Sequence, residues 1–274
     1  MNSVVRIGKL KLGEGQPLVV IAGPCVIESE RHALKMAERL CAAARDLHIP
    51  FIFKASYDKA NRTSVESYRG PGLARGIEIL ARIKREFGVP VLTDVHSVDE
   101  VGPAAEVCDV IQIPAFLSRQ TDLLIAAGRS KAAVNIKKGQ FLSPWDMRHA
   151  LEKVRSTGNQ RVFVTERGSS FGYNNLVVDI RGLAVMKAFS APVILDVTHA
   201  LQLPGGEGIR SGGQPQFIEP LARAGVAAGV NGVFMEVHDN PSRALSDGTN
   251  ALNLRQFKPL MARLRDLGNF VRKL

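Results

Sequence analysis

Val89-Pro-Val-Leu-Thr-Asp94 is apolar or β-branched until its last position, where it ends in a carboxylate. Runs of the same kind recur at Leu18–Ala22, Pro50–Lys54, Asp109–Ile113, Ala133–Lys137, Arg161–Thr165, Pro192–Asp196 and Gly232–Glu236, which makes eight. A strand without polar alternation is one covered on both faces, the condition of strands in a parallel sheet. Most intervals between the runs carry helical periodicity. Leu34, Leu40 and Leu47 share a side after Ser29, and Leu73, Ile77, Leu80, Ile83 and Phe87 form another apolar stripe. Ser97 and Glu100 have capping-box spacing, Ser143 followed by Pro144 reads as an N-cap with proline at the first helical position, and Gln214–Pro215 marks a third start. Eight strand–helix units average about 34 residues each, close to the repeat of a (β/α)8 TIM barrel, whereas a doubly wound open sheet rarely holds eight such even units. The reading is therefore one α/β barrel domain over residues 18–274. Residues 1–17 stand outside the repeat; Arg6-Ile-Gly-Lys-Leu-Lys-Leu12 alternates before Gly13-Glu-Gly15, which predicts a hairpin at the barrel's N-terminal mouth.

The composition narrows the function classes. With 45% hydrophobic and 23% charged residues among 274, the chain is not disordered. No apolar run reaches the roughly 18 residues of a membrane span, and the N-terminal stretch has no signal-peptide core, so a cytoplasmic protein without membrane partners is expected. Three cysteines, an odd number in a chain of this size, argue against a disulfide framework and leave thiolate or metal chemistry. A net charge of +10 calls for an anionic partner. Nucleic acid is the weaker candidate, because a single-strand groove needs cations interleaved with aromatics and only 6% of residues are aromatic.

In such a barrel the C-terminal ends of the strands converge on one face, where active sites sit. Those ends carry Cys25, Lys54 and Ser56, Asp94 and His96, Gln112, Lys137 and Lys138, Glu166 and Arg167, Asp196 and His199, and Glu236 and His238. Lys54, Lys59, Arg62, Lys137 and Arg167 aim positive charge at one mouth, an arrangement that implies a small substrate with two or more anionic groups. Cys25, His199, Glu236 and Asp247 are donor types suited to a borderline divalent ion such as Zn, Fe or Mn, and strand ends 1, 7 and 8 are neighbours once a barrel closes. Cys25 alone is equally consistent with a buried structural thiol; Cys41 and Cys108 read as packing. The glycine-rich stretch Leu203–Gly213 has the composition of a mobile lid, and Ser56–Ser64 that of a substrate-binding loop.

The stretches Ile21-Ala-Gly-Pro-Cys-Val-Ile-Glu-Ser29, Phe53-Lys-Ala-Ser-Tyr-Asp-Lys-Ala-Asn-Arg62, Ile111-Gln-Ile-Pro-Ala-Phe-Leu117, Asn135-Ile-Lys-Lys-Gly-Gln140, Thr165-Glu-Arg-Gly168, Phe171-Gly-Tyr-Asn-Asn-Leu176, Asp196-Val-Thr-His-Ala-Leu-Gln-Leu-Pro-Gly205 and Leu245-Ser-Asp247 resemble the 3-deoxy-D-manno-octulosonate 8-phosphate synthases over nearly the whole chain. Ala-Gly-Pro-Cys and the strand-end cations are shared with the related 3-deoxy-heptulosonate 7-phosphate synthases. The resemblance implies a transferase of lipopolysaccharide precursor biosynthesis that condenses phosphoenolpyruvate with arabinose 5-phosphate and water. It implies that Lys54, Ser56, Lys59, Gln112, Lys137 and Arg167 hold phosphoenolpyruvate. Asn61, Arg62, Thr63 and Gln202 would contact the pentose phosphate, with Ala115 beside them. Phe116 and Arg119 would reach a neighbouring subunit of a homotetramer, and Asp94 and His96 would line the catalytic centre with Lys59 and Asn61. Cys after Gly-Pro marks metal-dependent members, so Cys25, His199, Glu236 and Asp247 become the implied metal set. Two stretches depart from that pattern: Val230-Asn-Gly232 stands where many metal-dependent members read Cys-Asp-Gly, and Asp247-Gly-Thr-Asn250 is partly of the metal-independent kind.

Overall fold

The structure, a computed structural model, describes residues 4–62, 64–205 and 212–274. It opens with an antiparallel hairpin, β1 (Val5–Ile7) and β2 (Leu10–Leu12), paired with Arg6 opposite Lys11. The barrel strands follow: β3 (Val19–Gly23), β4 (Phe51–Lys54), β5 (Val91–Asp94), β6 (Val110–Ile113), β7 (Ala133–Lys137) and β8 (Val162–Glu166). A short ribbon, β9 (Ser169–Ser170) with β10 (Leu176–Val177), precedes β11 (Val193–Asp196); a second ribbon joins β12 (Gln202–Leu203) to β13 (Gly212–Gly213). β14 (Gly232–His238) completes the ring and carries a short parallel extension, β15 (Leu252–Asn253). All eight ring strands are parallel, and the ring closes where β14 pairs with both β11 and β3.

Each predicted run holds a ring strand, mostly starting one or two residues later. Pro50, Pro90 and Pro192 stand just before β4, β5 and β11, where a residue without an N–H costs the ladder nothing, and each carbonyl still accepts from a neighbouring strand. Eight α-helices alternate with the ring: α1 (Glu30–Asp46), α2 (Leu73–Phe87), α3 (Val98–Val107), α4 (Thr121–Arg129), α5 (Met147–Arg155), α6 (Ile180–Lys187), α7 (Ile218–Ala227) and α8 (Leu254–Val271). Ser29 caps α1 by accepting from His32 N, and Gly88 ends α2 in the left-handed region at φ 65°. Ser143 forms its box with Asp146 across the 3-10 turn that leads into α5. Ser97 and Glu100 do not form one. The Glu100 carboxylate instead accepts from His96 N–H and from the buried Tyr57 hydroxyl, each at 2.6 Å, and Ser97 makes no side-chain cap.

The strand period of two divides the core. Val20 and Ala22 face the helices, whereas Val19 and Ile21 point into the barrel with Ile52, Leu92, Val110, Phe163, Ile194 and Phe234. Val5, Ile7 and Leu12 of the hairpin join this inner cluster and stopper the N-terminal end.

Candidate active site

At the opposite end the inward positions turn polar. β3 runs into Cys25, whose Sγ lies 3.1 Å from Asp247 Oδ2 and 3.1 Å from Ser246 Oγ. His199, just after β11, holds Nε2 3.6 Å from Glu236 Oε1 and 3.9 Å from Asp247 Oδ2. The four donors named from sequence therefore converge. His199 Nδ1 is 2.7 Å from Asp196 Oδ2, which directs Nε2 into the cluster, the usual arrangement behind a metal-bound imidazole. Glu236 Oε2 is buried without a hydrogen-bond partner, an acceptor that suits a cation. Burial, and then the nearby Asp247 and Glu236, push the Cys25 thiol well above its ordinary range. Burial also works against ionisation of Glu236, but Lys54 and Lys59 outweigh it and bring the carboxyl down to about 2. The donor set of thiol, imidazole and two carboxylates fits a borderline divalent ion. Asn231 and Asn250 leave the cluster intact. Asn231 lies before β14, at the far end from Glu236, and accepts there from Val193 N–H, while Asn250 donates to Gly212 O.

A belt of hydrogen bonds crosses the barrel beside this cluster. Thr165 Oγ1 donates to Asn135 Oδ1 at 2.8 Å, Asn135 Nδ2 donates to Gln112 Oε1 at 2.7 Å, Gln112 Nε2 donates to Asp94, and Ser56 Oγ donates to the same carboxylate. All five residues are buried. Burial opposes ionisation of Asp94, yet Lys54, Lys59, Lys137 and the Gln112 bond hold it far below the carboxylate range.

The cations fall into two groups. Lys54 Nζ bonds to Glu236 Oε1 at 2.7 Å and to Cys25 O, and Lys137 Nζ bonds to Asp196 while lying 3.7 Å from the Phe234 ring centroid. Among the described residues no carboxylate stands within ion-pair distance of Lys59, Arg62 or Arg167. Arg167 spends one arm on Gln202 Oε1 at 2.7 Å and leaves Nη1 buried without a partner; Arg62 donates to Ser246 Oγ at 2.6 Å and leaves Nε likewise. Orphaned buried donors on uncompensated guanidinium groups are receptors for an anion. They line two adjoining cavities. One, of about 280 Å³, has Lys54, Asp94, Gln112 and Glu236 in its walls; the other, of about 810 Å³, is lined by Arg62, Gln202 and Ser246. Lys59, Asn61, Phe116, Arg167 and His199 border both.

The model of the DAHP synthetase I family matches residues 2–271. A protein of Trichlorobacter lovleyi named 2-dehydro-3-deoxyphosphooctonate aldolase is 55% identical over 99% of this chain and 100% of its own length. Proteins of the same name from Geobacter metallireducens, at 54% over 99% of this chain and 100% of the relative, and Desulfatibacillum aliphaticivorans, at 55% over 96% and 97%, are similar to it in the same way. The chain belongs to the DAHP synthetase I family.

In this DAHP synthetase I member most residues singled out from sequence meet at one mouth, with three differences. Ser56 and Gln112 are committed to Asp94 through the belt, and Ser56 lines neither cavity. Lys54 and Lys137, grouped with the anion-seeking cations from sequence, have acidic partners within the fold, Glu236 and Asp196. Adjacent strand-end residues also part company: Lys137 and Arg167 face the mouth, but Lys138 is buried between Glu166, at 3.3 Å, and the backbone of the following loop. His96 borders the smaller cavity with Nδ1 3.2 Å from Glu100, and Ala115 lies beside Phe116. Arg119 is exposed and borders neither cavity. Thr63, and residues 206–211 of the expected lid, lie outside the described residues; the stem of that loop is the β12–β13 ribbon. The partners of Ser246, Asn135, Glu100 and Asp196 were not legible in the sequence. Only Asn135 carried a signal, two residues before Lys137 on the same face of β7.

Proposed function

We propose that this protein makes 2-dehydro-3-deoxyphosphooctonate by condensing phosphoenolpyruvate with arabinose 5-phosphate and water, releasing inorganic phosphate, as a transferase of lipopolysaccharide precursor biosynthesis. The observation that carries the reading is the meeting of three cations that form no ion pair among the described residues, Lys59, Arg62 and Arg167, with the Cys25, His199, Glu236 and Asp247 cluster across one pair of cavities. Two phosphates and a carboxylate match those cations and the orphaned guanidinium donors, and the name shared by the relatives supports the product.

Lys54, Lys59, Gln112, Lys137 and Arg167, with Ser56 behind them on Asp94, hold phosphoenolpyruvate in the smaller cavity, and the four cations stabilise its carboxylate and phosphate as the methylene carbon attacks the aldehyde. Asn61, Arg62, Thr63 and Gln202 take the pentose phosphate in the larger one. Asp94 and His96 line the reacting centre, where water adds to C2 before phosphate leaves with C–O cleavage. Cys25, His199, Glu236 and Asp247 would hold a divalent metal, which supplies Lewis-acid polarisation of the aldehyde or of water when bound. The half-exposed Phe116 and the exposed Arg119 complete a neighbour's site in a homotetramer, and the enzyme works in the cytoplasm.

Phosphate release assayed with arabinose 5-phosphate and with erythrose 4-phosphate tests the substrate. Turnover with the pentose is expected; turnover with erythrose 4-phosphate alone overturns the reading in favour of a heptulosonate 7-phosphate synthase. Bound phosphoenolpyruvate without phosphate release from either aldose would mark a sensor.

A further inference from the structure

A second cluster of metal-ligating side chains lies outside the mouth, where the β3–α1 connection meets the end of β14. His238 Nε2 is 3.2 Å from Glu28 Oε1, His32 Nδ1 is 3.9 Å from Glu28 Oε2, and the two imidazole centroids are 4.6 Å apart. One donor atom from each of the three residues lies within 4.8 Å of the others. Around a tetrahedral ion with bonds of about 2.0–2.2 Å, donors stand roughly 3.5 Å apart, so modest rotamer adjustment closes the set.

A second, independent feature points to a cation. His32 Nε2 is 3.1 Å from Asp239 Oδ1, which keeps the ring proton there and leaves a lone pair on Nδ1; that atom is buried and has no hydrogen-bond partner. A carboxylate behind one ring nitrogen and an unused lone pair on the other is the arrangement of a metal-ligating histidine. Lys35 Nζ holds the other oxygen of that carboxylate at 2.6 Å. At His238, Asn240 N–H donates to Nδ1 at 2.9 Å and Nε2 faces Glu28. Ligation by Nε2 moves the ring proton to Nδ1, where Asp239 Oδ1 at 3.4 Å accepts it. The ring stays neutral and no proton leaves; the Asn240 bond is given up, which makes this site weaker than one with a thiolate.

We propose that Glu28, His32 and His238 form a second divalent-cation site, of the zinc and cobalt class, separate from the Cys25 cluster. Glu28 Oε1 also accepts from Leu245 N–H at 2.8 Å, so the ion would tie the β3–α1 connection and the end of β14 to the loop that carries Ser246 and Asp247. Its role is structural: a pin on the loop that borders the larger cavity.

Cobalt(II) titration of the chelator-stripped, full-length protein tests this. Two equivalents per chain are expected, the tighter with a thiolate charge-transfer band and the weaker with ligand-field bands alone. His32→Ala and His32→Gln, in a side chain that takes no part in the mouth, should abolish only the weaker equivalent and leave the thiolate band of the tighter one in place. Two equivalents retained in both variants, or one thiolate-bound equivalent in the native protein, overturns the proposal. A single equivalent without the thiolate band that disappears in the His32 variants sustains this site and counts instead against the Cys25 cluster.

Discussion

The Asn135 side-chain amide donates to Gln112 Oε1 at 2.7 Å, in a belt whose direction is set at Asp94. The Asp94 carboxylate only accepts, from Gln112 Nε2 and from the Ser56 hydroxyl, so Gln112 must offer Oε1 to Asn135 and Asn135 must offer Oδ1 to Thr165; neither amide can turn over without placing like dipoles face to face.

Thr165→Val keeps the shape of the side chain and removes the first donor. It leaves Asn135 Oδ1 buried and unsatisfied, so urea unfolding should show a loss of about 1–3 kcal/mol, which Thr165→Ser restores. Equal midpoints for the native protein and Thr165→Val would show that the belt is not continuous.

Ser246 stands between Arg62 and Cys25. Ser246→Ala frees the guanidinium from its anchor while leaving the smaller cavity untouched. Steady-state kinetics should show KM for the phosphorylated pentose raised about tenfold, the worth of one hydrogen bond to a charged group, with KM for phosphoenolpyruvate unchanged.

The thiol–imidazole–carboxylate set makes chelation decisive. Native activity should fall on treatment with a chelator and return with individual divalent ions, whereas Cys25→Asn should bind the ion far more weakly. Full native activity in the chelator would remove the metal from the proposed chemistry.

Glu236 gives the pH dependence its sign. Its folded value, about 2, lies below the ordinary 4.5, so its contribution to stability is complete above about pH 4.5 and is lost as pH falls towards 2. Glu236→Gln should be less stable at neutral pH, because Lys54 is then buried without its carboxylate, and its unfolding midpoint should change less steeply between pH 5 and 2. Denaturant melts across that range would expose the error if the two slopes coincide.

Gly23 is fixed by close approach: a Cβ there would sit 1.9 Å from the Lys54 carbonyl oxygen. Gly23→Ala should therefore push β3 from β4 beneath Lys54 and cost about 3 kcal/mol or more in thermal or urea unfolding.

The eight strands were legible because each is covered on both faces and so lacks polar residues until its mouth end, as Val91–Asp94 shows. The convergence of Cys25, His199 and Glu236 followed from ring closure alone, since β11, β14 and β3 are neighbours. Partner choice was not legible. The sequence shows Lys137 and Lys138 as equals, yet strand alternation sends one to Asp196 and the other to Glu166. Glu100 has capping-box spacing, but a buried Tyr57 hydroxyl 43 residues away in sequence claims its carboxylate. Such pairings depend on which side chains tertiary packing leaves in need of a partner.

The hairpin stopper has a practical consequence. Because Val5, Ile7 and Leu12 seal one end, the barrel is blind among the described residues: whatever enters or leaves the two cavities does so at the strand-end rim. Anything that covers that rim halts all traffic together. A tether at Lys9, exposed in the turn at the sealed end, leaves the doorway clear, which makes that turn the place to immobilise a working enzyme.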